Sequence, residues 1–387
     1  MINGYKYRIY PNKEQKVLLE KHIGSCRFVY NKLLHIKKTL YEKFKMSISE
    51  FELNNHLTVL KEIYPFLKEV NSQSLQQASK NLNSAYNHFF KDGSGFPTKK
   101  SKKNPLQSFQ IPQHYRIEDK KIWLSKIGWV KIKLHRDMMQ GSMKTATISR
   151  TPTGKYYISI IVENDIEYPE KQEYSHVTMI GVDVGIKTFA ALSNGEIIEH
   201  PKFLKNSLKR LKCLQRRVTK KVLNSNNWKK AVKQVSKIHE LISNQRNDFQ
   251  HKVSKRLISE NQAVAVETLN IKGIMRNHKL AQAIGDSAWY SFVLKLTYKA
   301  EWFGKTILKI GMFEPSSKTC NICGFKNSEL TLKDREWQCP ECKNTHDRDI
   351  NAAINIKKFA LAEREVGLVD SLAKVKGMKQ EASSSKT

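Results

Sequence analysis

The sequence predicts a multidomain α/β protein on three observations. Residues 13–90 carry helical periodicity with few Gly or Pro, 107–163 switch to a period of two, and 177–311 set short apolar strands between long basic helices. The chain of 387 residues suffices for two or three domains, each with a core. Lys and Arg number 68 against 36 Asp and Glu, a net charge of +32 that is not confined to one tail. Self-repulsion of that size opposes compaction, so a polyanionic partner accounts for it better than a merely solvated surface. A membrane surface also attracts positive charge, but no apolar run approaches the length of a bilayer span. Met1–Tyr10 lacks the apolar core of a signal peptide. The expected location is the cytoplasm, where the six cysteines stay reduced and favour metal binding over disulfides.

In chain order, residues 1–10 read as a strand, with Tyr5, Tyr7 and Ile9 alternating, ended by Pro11. Residues 13–90 read as a helical bundle. Asp92, Gly93, Gly95 and Pro97 break it, and Lys99, Lys100, Lys102 and Lys103 form either a solvated or a phosphate-contacting loop. Ile122, Leu124, Ile127, Val130, Ile132 and Leu134 look like strand residues. The stretch 144–162 reads as a hairpin turning at Thr151-Pro152-Thr153-Gly154. With the N-terminal strand these make a small antiparallel β domain. Three strands follow, Val177–Asp183, Lys187–Ser193 and Glu196–His200, the last two joined by Asn194-Gly195. Residues 202–260 read as long helices whose stripe of Leu204, Leu208, Leu211, Leu214, Val218 and Val222 is a packing seam, with the charged faces left for backbone contact. A strand at Ala263–Glu267, a helix near 280–303, a strand near 306–311 and a helix near 349–363 complete the pattern. The Ser- and Lys-rich end, 375–387, reads as disordered.

Cys320-x-x-Cys323 and Cys339-x-x-Cys342, separated by fifteen residues, form the most specific local signal. Each Cys-x-x-Cys turn aims two sulfurs at one ion, and two turns complete a tetrahedron; Gly324 and Pro340 suit such tight turns. Four thiolates leave no open position, so the expected Zn2+ is structural. A redox dithiol needs only one pair. Cys26 and Cys213 sit among apolar helix residues and read as buried free thiols.

Hydrolysis of a phosphodiester at neutral pH is served by two divalent ions about 4 Å apart, which acidic side chains must hold. Three acids stand out in this cationic chain. Asp183 ends the apolar strand Ile180-Gly181-Val182-Asp183, where the glycines permit close approach of backbone and substrate. Glu267 ends Ala263-Val264-Ala265-Val266, and Asp349 opens the last helix. The bland alternatives are a strand-end residue facing water for Glu267 and an N-cap for Asp349. Asp183 resists such a reading, because burial beside glycines gives a lone charge no benefit.

With those residues in view, the chain closely resembles the TnpB (OrfB) family of transposon-encoded proteins, relatives of the type V CRISPR nucleases. The resemblance runs from about residue 5 to about 360. It is carried by Tyr7-Arg8-Ile9-Tyr10-Pro11, Cys26-Arg27-Phe28-Val29-Tyr30-Asn31, Gly95-Phe96-Pro97, Gly181-Val182-Asp183-Val184-Gly185 and Val266-Glu267-Thr268-Leu269. Ser317-Lys318-Thr319-Cys320 and Asp347-Arg348-Asp349-Ile350-Asn351-Ala352-Ala353 close the series. It implies a RuvC-like nuclease of RNase H fold at 166–314 plus 346–374, with an inserted zinc-ribbon target-binding segment at 315–345. It also implies an oligonucleotide-binding, wedge-like β-barrel at 1–10 plus 96–165, interrupted by a helical recognition domain at 11–95. The family's catalytic carboxylates fall on Asp183, Glu267 and Asp349, with Asp347 set aside. They imply two Mg2+ ions, with Mn2+ as the alternative.

The implied partners are a guide RNA from the transposon end and double-stranded target DNA, with a separate transposase encoded alongside. The implied activity is RNA-guided cutting of DNA next to a short motif, on the bacterial nucleoid. Tyr5, Tyr7, Tyr10, Phe28 and Tyr30 are candidates for stacking on bases, though core packing is the expected fate of most. The rival readings are a transposase performing strand transfer, a catalytically silent RNA-guided repressor, and a chromatin-like basic protein. The last leaves the knuckles and the acids unexplained.

Overall fold

The computed structural model describes residues 1–362, except Phe313, Leu332 and the side chains of Lys272 and Lys279. The expected tail at 375–387 and the end of the nuclease segment up to 374 lie outside the described residues. The chain divides into two compact units, Met1–Glu167 and a second from Tyr168 onward.

In the first unit β1 (Ile2–Tyr10) leads into α1 (Lys13–Phe44), α2 (Glu50–Ile63), a short 3-10 turn (Pro65–Glu69) and α3 (Ser72–Asp92). Local chemistry starts these helices. Asn12 with Gln15 and Ser49 with Glu52 form reciprocal capping boxes, and Asn71 caps α3. Then come β2 (Gln107–Ile111), β3 (Tyr115–Glu118), β4 (Lys121–Leu124), β5 (Gly128–Lys133), β6 (Ser142–Arg150) and β7 (Tyr156–Glu163). They form one antiparallel sheet in the order β2-β6-β7-β1-β5-β4-β3, so the N-terminal strand is central. Tyr5, Tyr7 and Ile9 point into a core shared with α1 and α3. Of the candidate stacking aromatics, Tyr5, Tyr7 and Tyr30 are buried and Phe28 packs against the core. Tyr10 is half exposed beneath the Arg8 guanidinium. The lysine loop is partly pinned: Asn31 holds both the N–H and the carbonyl of Lys100, whose ammonium lies 4.2 Å from the Tyr30 ring centroid.

The second unit is built on β8 (Met179–Val184), β9 (Thr188–Leu192), β10 (Ile197–Glu199), β11 (Ala263–Glu267) and β12 (Thr306–Ile310). Their order is β10-β9-β8-β11-β12. The hairpin strands are antiparallel, and β11 runs parallel to both β8 and β12. Between strands lie α4 (Phe203–Thr219), α5 (Asn226–Glu260), α6 (Ile271–Ile274), α7 (His278–Ser287) and α8 (Trp289–Trp302). A short ladder, β13 (Glu336–Gln338) with β14 (Thr345–Asp347), precedes a helix over 348–362, α9.

Three expectations need correction. The helix read near 280–303 is two helices, because Ala288 adopts φ 50° and the carbonyls of Ser287 and Ala288 are taken by the Gln250 amide at 2.9 and 3.2 Å. The stripe on α4 packs on α5 through Leu204, Leu211 and Leu214, but Val222 falls beyond the helix and is exposed. Cys213 is exposed on the charged side of α4, whereas Cys26 is buried, donates to the Ser74 carbonyl, and has its thiol pushed up to about 12 by burial. Among the described residues, no helix is long and apolar enough to cross a membrane.

The two faces of the second sheet are covered differently. Ile180, Val182, Val264 and Val266 pack with Leu257, Phe292 and Leu296 of α5 and α8. Met179, Ala263 and Ala265 pack with Ile356 and Ala360 of α9 on the other face. Contact there is so close that a Cβ on Gly181 would overlap the Ala353 carbonyl oxygen and come within 2.9 Å of the Lys357 Cβ. Gly181 therefore admits a helix rather than a substrate, which amends the expectation drawn from its sequence. Gly181→Ala is expected to cost about 1–3 kcal/mol, the usual range for overpacking. Denaturant unfolding of the metal-free chain would register it; an unchanged midpoint would contradict the packing.

Candidate active site and zinc ribbon

Strand register sets the first two acids side by side. Val266 pairs with Val182 in the parallel ladder, so Glu267 and Asp183 follow at the same level on neighbouring strands and on the same face. That face is the one α9 covers. The helix runs antiparallel to β8, since Ile356 and Ala360 share a cluster with Met179 while Ala353 meets Gly181. From Gly181 to Asp183 is about 6.6 Å of strand, and from Ala353 back to Asp349 is about 6 Å of helix. The first turn of α9 thus arrives beside the carboxyl ends of β8 and β11, where α/β sheets place their ligands.

The acids are electrostatically coupled. The Asp183 carboxyl is held well above its ordinary range, first by burial and then by the negative charges of Glu267 and Asp349; Arg348 and Arg335 oppose the shift. Burial also raises Glu267, whose carboxylate accepts a hydrogen bond from the Ser316 hydroxyl. Asp349 faces the Arg335 guanidinium at 3.2 and 3.4 Å. The cap is supplied by Asp347, which accepts from the Ile350 N–H at 2.9 Å, so Asp349 is released from that role. A face-to-water reading of Glu267 fails as well, because the residue is largely enclosed and bonded to Ser316. Acids gathered at one end of the sheet, with Arg335 and Arg348 as their cationic partners, can hold hard divalent ions through oxygen ligands. Among the described residues the ligand atoms that all lie within 4.8 Å of one another are those of the four cysteines, and the three acids do not form a second group at that spacing.

The four cysteine sulfurs lie within 4.8 Å of one another, with Cys320–Cys342 and Cys323–Cys339 separations of 3.6 Å. A Zn–S bond of about 2.3 Å sets a tetrahedral edge near about 3.8 Å, so the set fits zinc. Both knuckles share one backbone pattern. Gly324 N–H donates to the Cys320 carbonyl and Lys343 N–H to that of Cys339, each at 3.0 Å, with φ of 80° and 60°. The equivalent of Gly324 is thus Lys343. His346 Nε2 lies 3.1 Å from the Cys320 sulfur, a suitable second-layer donor. Trp337, Leu330 and Phe325 supply the small core.

The ribbon and α9 are tied by residues the sequence did not single out. The Asn351 amide donates to the Thr319 carbonyl and accepts from the Asn321 N–H. Asn355, one turn on, donates to the carbonyls of Ser316 and Thr319. Arg348 reaches the Thr331 carbonyl at 2.6 Å. Asn351 and Arg348 lay in the quoted closing motif, and their polarity on an otherwise Ala- and Ile-rich helix was a usable signal. Ser316 and Arg335 carried none.

Two outcomes follow. Asp183→Asn should raise the thermal midpoint of the zinc-loaded chain at neutral pH in magnesium-free buffer. Both states of the wild type carry the proton at low pH; as pH rises the unfolded chain ionises first, and the folded one loses stability. The gain should therefore vanish towards pH 4, and a gain independent of pH would refute the buried charge. Cys339→Ser should abolish zinc content by atomic emission and loosen α9, seen as faster amide exchange over 348–355.

Comparison with known proteins places this arrangement. A family profile described as "Probable transposase" (OrfB, IS605) matches residues 159–278, and one described as "Cas12f1-like, TNB domain" matches 289–356. A third, "Helix-turn-helix domain", matches 1–46, where the structure has a strand and one long helix. A protein of Streptomyces pristinaespiralis, provisionally named RNA-guided DNA endonuclease, is 36% identical over 94% of this chain and 90% of its own length. A similarly named protein of Escherichia coli K12, InsQ, is 29% identical over 92% of this chain and 91% of its own. The solved Cas12f1–sgRNA–target DNA complex superposes with a TM-score of 0.50 at 14% identity, covering 92% of this chain and 98% of that one, a likeness of fold.

Proposed function

This chain belongs to the TnpB (OrfB) family, and from that premise we propose that it is an RNA-guided DNA endonuclease acting through Asp183, Glu267 and Asp349. The observation that carries the reading is the register that sets Glu267 beside Asp183, with the helix that opens at Asp349 packed over the same face at Gly181. The sheet order of the second unit, third-second-first-fourth-fifth with the last two strands parallel to the first, supports a RuvC-like domain of RNase H fold. The seven-stranded sheet of the first unit supports an oligonucleotide-binding barrel, and α1–α3 a recognition bundle.

Asp183, Glu267 and Asp349 would hold two Mg2+ ions, or Mn2+. When bound, these supply an activated water and stabilise the departing 3′ oxygen. The chain's own residues prepare the place. Ser316 orients Glu267, Asp347 keeps the helix start in order, and Arg335 and Arg348 temper repulsion among the acids. Cys320, Cys323, Cys339 and Cys342 hold a structural Zn2+. Basic faces of α4 and α5 grip phosphates, a salt-sensitive contact, while pairing between a guide RNA and its target supplies sequence specificity.

Asp183→Ala, purified with its RNA and supplied with Mg2+, should lose cleavage by about a thousand-fold or more while retaining RNA. Full cutting by that variant would overturn the assignment. The profile description keeps strand transfer as a second reading; joined strands among the products of the wild type would favour it.

A further inference from the structure

The first unit contains a cavity of about 480 Å3 that no step above uses, lined by Asn71, Gln73, His114, Arg116, Trp123 and Ser125. Its walls are fixed. Asn71 accepts from the Gln73 N–H at 2.8 Å, and its own N–H donates to His22 Nε2 at 3.1 Å. Against this rigid wall, the Gln73 side-chain oxygen is enclosed and has no hydrogen-bond partner among the described residues, which a buried amide ordinarily finds.

Arg116 and Trp123 of the lining continue into a row with Trp129, which adjoins the cavity without lining it. Arg116, Trp123 and Trp129 occupy one row across β3, β4 and β5, in direct register. The guanidinium lies 5.7 Å from the Trp123 ring centroid and 5.2 Å from that of Trp129. The core does not require these indoles, because Ile122, Leu124 and Val130 fill it from the other face and Trp129 remains 37% exposed. Arg116 is also answered by Glu118 at 3.1 Å, so the pocket is no bare anion site. Flat π-faces and a stacked guanidinium suit a heteroaromatic ring. The charge of +32 selects a polyanion to carry that ring. Duplex DNA keeps its bases paired and stacked, whereas folded RNA presents bases in loops and bulges.

We propose that this pocket takes an unpaired nucleobase of bound RNA, stacked on Arg116 and Trp123 with Trp129 adjoining. The inference rests on the RNA-binding part of the proposed function and adds a site to it.

The test uses the full chain freed of nucleic acid, titrated with short oligoadenylate, its deoxy counterpart and a paired RNA duplex, with ultraviolet adducts mapped by mass spectrometry. Oligoadenylate should leave adducts on the peptides bearing Trp123 and Trp129. Trp129→Ala should weaken its binding about ten-fold with the salt dependence unchanged, and Trp129→Phe should restore it. Duplex affinity should not move. Absence of adducts there, equal loss on the duplex, or preference for the deoxy strand would overturn the proposal. Failure of the guided reading shows separately, as the lack of a discrete RNA co-purifying with the untreated protein. Trp129 is exposed enough for its variants to fold, which circular dichroism verifies.

Discussion

The closeness of α9 to β8 at Gly181 is the constraint on which the rest of the second unit depends. A side chain at that position would lift the helix away from the strand. Asp349 would then withdraw from Asp183 and Glu267, and the ribbon fastened to the helix through Asn351 and Asn355 would move with it. A missing methyl group, not a favourable bond, therefore sets the geometry of the acids.

The acids themselves oppose folding. Bringing three carboxylates together beneath a helix costs desolvation and repulsion, and the molecule offsets this only partly, with Arg335, Arg348 and the Ser316 hydroxyl. Complete neutralisation by arginine would leave such a cluster no appetite for a divalent ion. The residual negative field, inside a chain with a large surplus of lysine and arginine, suits the two-cation site proposed above.

Much of this was legible in the sequence because it rests on short-range patterns. The apolar runs ending at Asp183 and Glu267 read as strands with an acid at the same end, and the four cysteines announced their geometry by spacing alone. What was hidden depends on partners distant in the chain. Only coordinates show that Asp347 takes the cap and so frees Asp349, or that Gly181 makes room for a helix. Cys213 misled because its apolar neighbours belong to the packed side of α4 while it faces outward, a matter of helical phase that one residue cannot declare. The break at Ala288 escaped notice because Gln250, on another helix, stabilises it.

The helix that closes over Gly181 follows both acid-bearing strands in the chain. The strands bearing Asp183 and Glu267 emerge from the ribosome well before residues 348–353 and can pair without them. A nascent polypeptide therefore lacks Asp349, the third member of the acid cluster, until residues 348–353 have emerged. Premature termination anywhere upstream of that turn yields a product with two of the three acids, in which the proposed nuclease site is incomplete.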